Sequence, residues 1–548
     1  MVKVVDYLLD QLAQLGVEHV FGVPGDYAFP INDAITGRND MRWIGCSNEL
    51  NAAYAADGYA RMKGIAVLNT TYGVGELSAM NGVGGAYAEH LPVIHLVGMP
   101  RRAILNEKRL VHHTLGDGRL WAFYEAADHV VCARTILDGQ TCVQELKRVL
   151  TTLRKERRPI YIGIPADAAY DDVVMAAKGA ARAVLPVDRG QKQAEIVVRR
   201  IVSELKQSKN PCVLPGILTA RFGCRNAARQ FLTSSGLPYA TMYMDKGVVS
   251  EQAVGFVGMY GGHLVQEEVA NFVEQADLVL ALGAEMTDFS TGLFTQKLPP
   301  ERVISVMETS VQFGDGAVYE AALDDVVALL AELADTIPRR AGPGYLGMEL
   351  SPKQDDEKDE GVIRTHTLCS AVRDHLRAGD VVVCETGTVA MGMGFVRLPD
   401  GVDYEEQSLW GAIGWATPAA FGMALAVPHK RIVLLTGEGS HQLTVQALGE
   451  FARFDCQPLI LVLNNEGYLI ERLLCDDGER YYNDIASWDY TALARGFGCE
   501  DWHCERVSTP QALRQALDAV VPGQGAYLEV VAPRYDAPAM AEALGHKQ

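Results

Sequence analysis

Several common signatures are missing from this sequence of 548 residues, and each absence excludes a class of protein. No apolar run reaches the roughly 18 residues of a membrane-spanning helix, so no transmembrane span is expected. Basic residues are outnumbered by acidic ones, and the net charge of -20 argues against a nucleic acid as partner. The 11 cysteines include no C-x-x-C pair and no zinc spacing, which favours reduced thiols in a cytosolic protein.

Two further signals are also missing. Residues 1–22 lack the apolar central segment of a signal peptide and instead predict an amphipathic helix that runs into a strand. No strand-linked G-x-G-x-x-G with a following acid is evident, which disfavours a generic nucleotide-binding α/β protein. The composition, with 48% hydrophobic and 22% charged residues, is otherwise that of a soluble globular protein, expected in the cytoplasm.

Strand and helix signals alternate along the chain. Short apolar runs closed by glycine or proline, typical of buried parallel strands, are separated by helical patterns such as residues 49–62. This alternation predicts an α/β protein with doubly wound parallel sheets, and the length exceeds a single core. Three domains are predicted, at residues 1–175, 190–340 and 362–548. Residues 341–361 are rich in Gly, Pro and charge and are predicted to be a linker.

Two apolar runs, RIVLL and PLILVL, end abruptly in polar residues. Glu438 follows the first run between two glycines, and Asn464 and Asn465 follow the second. Ligands of doubly wound sheets bind beyond the carboxyl ends of the strands, where an acid and an amide oxygen suit a Mg²⁺ ion that bridges to a diphosphate. A helix predicted directly after Gly439 and Ser440 would add amides and a dipole that favour phosphate. Taken alone, each motif favours an ordinary turn.

The spacing of the two motifs resembles the thiamine diphosphate signature. Glu438 and Asn465 lie 27 positions apart, one strand–helix–strand unit, and Glu466, Gly467 and Tyr468 follow. The stretches SHQLTVQ and NNEGYLIE extend the match to the 2-keto acid decarboxylases, the pyruvate, indolepyruvate and branched-chain group. The resemblance covers nearly the whole chain and is weakest in the middle domain and the linker. It implies a pyrimidine-binding first domain and a diphosphate-binding last domain.

The resemblance implies thiamine diphosphate and Mg²⁺ as cofactors. The implied metal ligands are Glu438, Asn465 and the carbonyl group of Gly467. In the family, a bulky aliphatic residue at the position of Ile413 bends the coenzyme, and a backbone carbonyl group at the position of Gly411 assists it. With or without this role, Ile413 is expected to be a core residue. The implied coenzyme contacts are Glu49, Thr386, Gly411, Ile413, Gly437, Glu438, Gly439, Ser440, Asn465, Gly467, Tyr468 and Ile470.

Two positions depart from the family pattern. The family has Asp where this chain has Glu438, and Mg²⁺ tolerates little distortion at its bond length of about 2.1 Å. The added methylene displaces the carboxylate by roughly 1.5 Å, so the loop must shift or the metal affinity must fall, and binding is expected to survive. His441 stands where an apolar residue is usual; it could approach the diphosphate, but a solvated histidine in the first turn of a helix is the favoured interpretation.

Titratable residues match the catalytic groups of the family. The segment GCSNELNAAYAADGYARMKG resembles the helix whose acid faces the pyrimidine N1′ and promotes removal of the thiazolium C2 proton, a role implied for Glu49. The motifs FGVPGDY, RLVHHTLGDG and NNEGYLIE supply Asp26, His112, His113 and Glu471, implied to share the proton transfers on the substrate side. Taken alone, each residue also has an ordinary structural explanation. Glu49 is typical of an acid at a helix start, Asp26 of a turn, the two histidines of a surface loop and Glu471 of a solvated helix face.

The implied reaction is the non-oxidative decarboxylation of a 2-keto acid to an aldehyde and CO₂ through an ylide and an enamine. The implied pocket residues are Phe289, Ala390 or Met391, Ile470 and Leu474. Pyruvate-specific relatives carry a large aromatic residue at the position of Ala390. Branched, longer or aromatic 2-keto acids are therefore expected to be preferred over pyruvate, since each buried methylene contributes about 0.8 kcal/mol.

The resemblance also bears on assembly and regulation. In the family the two halves of the site meet across a subunit interface, which implies a homodimer or homotetramer. Cys224 lies near the position of a substrate-sensing cysteine of some fungal relatives, although a buried inert thiol is favoured. The alternatives are a pyruvate or indolepyruvate decarboxylase proper, an acetolactate synthase-like carboligase, expected to lack the His-His and Gly-Tyr-x-Ile-Glu motifs, and an inactive structural paralogue disabled by Glu438.

Overall fold

The computed structural model describes residues 2–175, 191–348 and 361–545, and within them the chain forms three sheets flanked by helices. The chain divides into two compact units. The first contains residues 1–187, 417–428 and 444–456, and the second contains residues 188–416, 429–443 and 457–548. Each sheet lies within one of the three intervals predicted as domains.

The first sheet has the strand order β2-β1-β3-β4-β6-β5, with parallel neighbours. Strands β3, β4 and β6 are buried along their whole length, as their continuous apolar runs predict. Its strands are β1 His19–Gly22, β2 Arg42–Gly45, β3 Ala66–Thr71, β4 Val93–Met99, β5 Ala133–Ile136 and β6 Ile160–Pro165. The helices of this part are Val4–Gln14, Phe29–Thr36, Glu49–Lys63, Val74–Ala88, Arg102–Glu107, Ala122–Ala127 and Cys142–Glu156.

The second sheet has the order β13-β12-β11-β10-β7-β8-β9. The pairs from β11 to β9 are parallel, whereas β12 and β13 add an antiparallel edge. Its strands are β7 Pro211–Pro215, β8 Tyr239–Thr241, β9 Phe256–Met259, β10 Leu278–Leu282, β11 Val303–Val306, β12 Ser310–Gln312 and β13 Val318–Glu320. Its helices are Gln191–Gln207, Leu218–Arg221, Arg225–Ser235, Glu267–Glu274 and Leu323–Leu333.

The third sheet has the order β15-β14-β16-β17-β19-β18, the same topology as the first. Its strands are β14 Val381–Cys384, β15 Asp403–Glu406, β16 Ile432–Gly437, β17 Leu459–Asn464, β18 His503–Val507 and β19 Ala526–Val531. The helices of this stretch are Thr365–His375, Thr388–Met393, Ala416–Ala426, Glu438–Thr444, Leu448–Arg453, Leu469–Leu474, Tyr490–Gly496, Pro510–Asp518 and Ala539–Gly545. The single helix predicted after Ser440 begins earlier, at Glu438, and is interrupted by a 3-10 turn at Val445–Ala447.

The predicted fold class, α/β with parallel sheets, is confirmed. The sequence did not reveal the antiparallel edge of the second sheet or short strands such as β15 (DYEE) and β18 (HCERV), because these segments contain no continuous apolar run. Of the predicted linker, residues 341–348 contain no helix or strand, and residues 349–360 lie outside the described residues. No helix in the described ranges is long and apolar enough to cross a bilayer.

Two helices of the first unit approach each other through glycines. A Cβ atom on Gly58 would overlap the carbonyl group of Ala419, and a Cβ atom on Gly422 would overlap that of Ala55. Gly58 lies in helix Glu49–Lys63, so this backbone contact helps to fix the helix that begins with Glu49.

We expect Gly58→Ala to lower the unfolding temperature, because overpacking of this kind costs about 1–3 kcal/mol. Thermal denaturation followed by circular dichroism measures the effect. Gly496→Ala is the matched control, since an added Cβ there meets no atom within 4 Å at the end of its helix. An unchanged unfolding temperature for Gly58→Ala would show that the crossing adapts without cost.

Candidate functional site

Glu438 and Asn465 meet at the carboxyl edge of the third sheet. They directly follow β16 and β17, which are adjacent and parallel, with Gly437 paired to Leu463. Oε1 of Glu438 accepts hydrogen bonds from the backbone N–H groups of Asn465 (3.1 Å) and Gly467 (2.8 Å). Glu438 is 2% exposed and Asn465 is 4% exposed. The structure therefore joins the acid and the amide that the sequence places at two separate strand ends.

The loop after β17 has an unusual backbone that a buried arginine supports. Glu466 has a φ of +65° and Gly467 a φ of +139°. Arg472, whose side chain is fully buried, donates to the carbonyl groups of Asn465 (3.1 Å) and Glu466 and to Oδ1 of Asp484 (3.0 Å). Sequence reasoning missed Arg472, because a charged residue in a short helix next to Glu471 is indistinguishable from a solvated one.

The electrostatics of Glu438 favour a cation beside it. Burial raises the pKa of Glu438 to about 7, although the N–H groups of Gly467 and Asn465 and the charge of Arg472 act in the opposite direction. A positive ion at the carboxylate would favour its ionised form. Carboxylate, side-chain amide and backbone carbonyl oxygens are the ligands that hard cations prefer.

The groups around this edge have space and polar capacity for a ligand. Within the described part of the chain, the hydroxyl group of Thr386 and the side-chain amide of Asn465 make no hydrogen bond. A Cβ atom on Gly387 or Gly437 would meet no atom within 4 Å, so both strand ends open onto free space. These observations fit a diphosphate with a bound metal ion.

The other residues at this edge of the third sheet are buried or closely packed. Ser440 is buried, and Tyr468 lies so close to Gly439 that a side chain there would overlap its ring. The interpretation of His441 as a solvated residue is wrong: it is fully buried in helix Glu438–Thr444, where its ring lies 5.8 Å from that of Tyr527. Burial lowers the pKa of His441 to about 3.

Ile413 lies on an exposed loop rather than in the core, which corrects that part of the prediction. Its side chain is 42% exposed. Gly411 (φ +62°) and Gly414 (φ +89°) on either side have left-handed backbone conformations, and the turn between them directs Ile413 outward. Leu409 and Trp410 of the same loop are also about two-fifths exposed, at 41% and 42%.

Glu49 occupies the start of a long helix in the first unit. It is the first residue of helix Glu49–Lys63, which Asn48 caps by accepting a hydrogen bond from the N–H of Asn51 (2.8 Å). A Cβ atom on Gly75 would lie 3.2 Å from Oε1 of Glu49, so the carboxylate lies against the first turn of helix Val74–Ala88. The first turn of a helix is a favourable position for an acidic side chain.

Glu76 fixes the neighbouring turn. It accepts hydrogen bonds from the backbone N–H of Gly73 (2.8 Å) and from the hydroxyl group of Tyr161 (2.9 Å). Burial raises the pKa of Glu76 to about 7. Tyr161 lies on β6, and the sequence gave no indication of this contact.

Asp26, His112 and His113 are brought together in the first unit. Nε2 of His112 lies 2.9 Å from Oδ2 of Asp26, and the ring of Tyr27 stacks on His112 at 4.8 Å. The rings of His112 and His113 meet edge to face at 4.6 Å. One ligand atom from each of the three residues lies within 4.8 Å of the others, a spacing that suits proton exchange and would also admit a metal ion. Glu471 belongs to the second unit, where it is exposed in helix Leu469–Leu474.

The predicted pocket residues separate into two clusters. Met391 packs in an apolar cluster with the partly buried Phe289, Ile470 and Leu474. Ala390 lies instead in the core of the third sheet and is fully buried. Of the two neighbours that the sequence left open, Met391 is therefore the one beside the other pocket residues. The cluster also contains Tyr243, Met259, Phe395, Met540, Ala541 and Leu544, which the sequence did not indicate.

Cys224 is buried, as favoured from the sequence. It belongs to the core of the second sheet.

Three known domains match successive parts of the chain. Residues 2–118 match the N-terminal TPP binding domain of thiamine pyrophosphate enzymes, residues 198–333 match their central domain, and residues 385–530 match their C-terminal TPP binding domain. The solved structure of a Rhodococcus jostii RHA1 thiamine diphosphate-dependent 4-hydroxybenzoylformate decarboxylase has a TM-score of 0.77 at 19% identity. It covers 97% of this chain and 99% of its own, and shows a shared fold.

Two curated relatives extend the similarity over almost the whole length. An alpha-keto-acid decarboxylase of Mycobacterium ulcerans (strain Agy99) is 36% identical over 98% of this chain and 95% of the relative. One of Mycobacterium avium (strain 104) is 38% identical over 97% of this chain and 94% of the relative. The resemblance inferred from the motifs is thereby confirmed, and the chain belongs to the thiamine diphosphate-dependent 2-keto acid decarboxylase family.

Proposed function

We propose that this protein converts 2-keto acids to aldehydes and CO₂ with thiamine diphosphate and Mg²⁺. The observation that carries the proposal is the joined strand-end pair, Glu438 and Asn465, in a chain of this family. Bound thiamine diphosphate supplies the electron sink that cleavage of a carbon–carbon bond beside a carbonyl group requires.

The third sheet provides the proposed anchor. Mg²⁺ is held by the carboxylate of Glu438, the amide oxygen of Asn465 and the carbonyl group of Gly467, all oxygen ligands. The hydroxyl group of Thr386, which makes no other hydrogen bond within the described residues, and the Gly437–Ser440 turn bind the diphosphate. The added methylene of Glu438 is accommodated because its Oε1 turns back onto the N–H group of Gly467.

The first unit provides the proposed proton chemistry. Glu49, the first residue of its helix, would accept a hydrogen bond from the pyrimidine ring. The Asp26–His112 pair and His113 hold and move the protons of the keto oxygen and of the product hydroxyl group, because hydrogen-bonded groups at this spacing can share a proton. Glu471, in the second unit, is proposed to share these proton transfers.

The proposed substrates are branched, longer or aromatic 2-keto acids. The support is the cluster around Met391, whose neighbours Ile470 and Leu474 are aliphatic and whose one partly buried ring, Phe289, lies at its edge. Long aliphatic side chains can rearrange to admit a larger substituent, which then gains about 0.8 kcal/mol per buried methylene.

The proposed active assembly is a homodimer or a dimer of dimers in which Glu49 of the partner subunit completes each site. Exposed apolar residues support this proposal. They include Leu409, Trp410 and Ile413 in the second unit, and Val74 (54% exposed) and Leu77 (43%), on the helix beside Glu49. Such residues beside a polar site are typical of a surface that association covers.

A panel of 2-keto acids, coupled to alcohol dehydrogenase with and without added Mg²⁺ and thiamine diphosphate, tests the reaction. We expect aldehyde to form in the presence of both cofactors. We expect kcat/KM for 2-ketoisocaproate and phenylpyruvate to exceed that for pyruvate by about tenfold or more, since each buried methylene contributes about fourfold. Pyruvate as the best substrate would refute the substrate class. Formation of acetolactate without aldehyde would indicate a carboligase. If no product formed at all, the protein would be an inactive paralogue.

Met391→Ala tests the pocket. We expect the ratio of kcat/KM for phenylpyruvate to that for 2-ketoisocaproate to rise several-fold, because the shortened side chain leaves room for a ring. Met393→Ala is the matched control, a methionine of the same helix that is buried in the core of the third sheet. Met393→Ala should be less stable than the wild-type protein and keep the wild-type ratio of kcat/KM values. If Met391→Ala gave the same ratio as Met393→Ala, Met391 would not line the pocket.

Mixed dimers test the shared site. Glu49→Gln and Glu438→Gln should each abolish activity when alone, because one lacks the pyrimidine contact and the other the metal ligand. Dissociated and reassembled together, they should recover about a quarter of the wild-type activity, since half of the random dimers hold one intact site of two. No recovery in reassembled dimers, shown to be mixed by mass spectrometry, would place both residues of a site in one subunit.

A further inference from the structure

The loop that presents Gly411 and Ile413 is tied to the end of β14 by a single buried carboxylate. Glu385 directly follows β14 and precedes Thr386. Its side chain is fully buried, and its Oε2 accepts hydrogen bonds from the backbone N–H groups of Gly414 (3.2 Å) and Ala416 (3.2 Å). The same residue therefore contacts the loop immediately after Ile413 and covalently adjoins Thr386.

The other side of the loop is held in a similar way. Gln407 is fully buried, and its Oε1 accepts a hydrogen bond from the N–H of Ala412 (3.1 Å). Its backbone carbonyl group accepts from the N–H of Gly411 (3.2 Å). Hydrogen bonds to Gln407 and Glu385 therefore fix the backbone on both sides of Ile413; we call these bonds the clamp. Ile413 is exposed although its loop is hydrogen-bonded at both ends.

Glu385 lies in surroundings where an ionised carboxylate is costly. Burial raises the pKa of Glu385 to about 8, and the nearby carboxylate of Glu406 acts in the same direction, against the backbone N–H groups of Ala416 and Gly414. Glu406 itself accepts hydrogen bonds from the hydroxyl groups of Tyr243 (3.0 Å) and Tyr404 (3.1 Å). Hydrogen bonds partly offset the desolvation of a buried acid, and the two that Oε2 of Glu385 accepts come from the amides of the loop.

We propose that Glu385 is a positioning residue that fixes Ile413 at a set distance from Thr386, so that the two residues would contact the ring and the diphosphate portions of one bound coenzyme at a fixed spacing. The inference rests on the proposed function, because Ile413 and Thr386 contact the coenzyme only if it binds at this edge. Glu385 itself does not touch the coenzyme; it acts through the amides of Gly414 and Ala416.

Loss of the hydrogen bonds from Glu385 to the loop should reduce turnover while leaving coenzyme binding largely intact. Within the described residues, Glu438 and Asn465, the proposed diphosphate anchor, make no hydrogen bond with the side chain of Glu385, so the coenzyme should still bind, while a released Ile413 would no longer contact its ring portion at a fixed position. The value of kcat should therefore fall more than KM rises. Glutamine keeps a carbonyl oxygen for the two amides and resembles the protonated acid, whereas alanine offers no acceptor.

Hydrogen–deuterium exchange of the coenzyme-free protein tests the clamp directly. In Glu385→Ala we expect the Gly414 and Ala416 amides to exchange about tenfold faster or more, since each loses its hydrogen-bond acceptor. Glu385→Gln should keep the wild-type rates. Glu406→Gln is the matched control, because this buried carboxylate on the adjacent strand accepts from tyrosine hydroxyl groups. If the alanine variant does not fold, Glu385→Asp, with its carboxylate withdrawn by one methylene, should show the faster exchange.

The coenzyme-bound protein tests the consequence. With Mg²⁺ and thiamine diphosphate, Glu385→Ala should bind the coenzyme within about threefold of the wild-type affinity, lose the near-ultraviolet circular dichroism of the bound coenzyme and lose at least about tenfold in kcat. Unchanged amide exchange, or faster exchange with an unchanged spectrum and kcat, would overturn the inference. Absence of coenzyme binding to the wild-type protein would instead defeat the proposed function, while the exchange rates would still decide whether the clamp exists.

Discussion

The hydrogen bonds from the amides of Asn465 and Gly467 to Glu438 are the constraint on which the proposed coenzyme site depends. They connect the first residue after β16 to the loop after β17 and leave the other carboxylate oxygen for a ligand. Arg472 holds the far side of the same loop by its carbonyl groups. A loop with two consecutive residues at positive φ would not keep its shape without such partners, and the oxygen atoms offered to a metal would not converge.

The first and third sheets use one topology for two kinds of chemistry. In both, strand order reverses beside the first strand of the sheet, which opens a crevice at the carboxyl edge. In the third sheet this edge carries Thr386 after β14 and Glu438 after β16, residues suited to anchoring an anion through a metal. In the first sheet Asp26 follows β1 and meets two histidines, residues suited to proton transfer. Fold and function are thus connected through the side chains at equivalent strand ends.

The sequence predicted the long buried strands, the α/β class and the convergence of Glu438 with Asn465, because apolar runs and strand-end residues are local signals. The partners that hold the site were not predicted, even where they lie close in sequence, as Arg472 does to Asn465. Arg472, Glu385 and Gln407 are polar residues whose burial depends on tertiary packing. His441 and Ile413 were misplaced because residue type alone does not decide whether a side chain is buried: His441 packs near Tyr527 of β19, and the left-handed glycines at positions 411 and 414 turn Ile413 outward.

The most direct test is a calorimetric titration of thiamine diphosphate into the coenzyme-free protein over a range of Mg²⁺ concentrations. The account predicts that binding requires Mg²⁺, that Glu438→Gln weakens it by about 100-fold or more, and that Glu466→Gln leaves it unchanged. Glu466 is an exposed carboxylate of the same loop and serves as the control. Binding of equal strength without Mg²⁺, or in Glu438→Gln, would contradict the central claim that the ends of β16 and β17 hold the coenzyme through a metal ion.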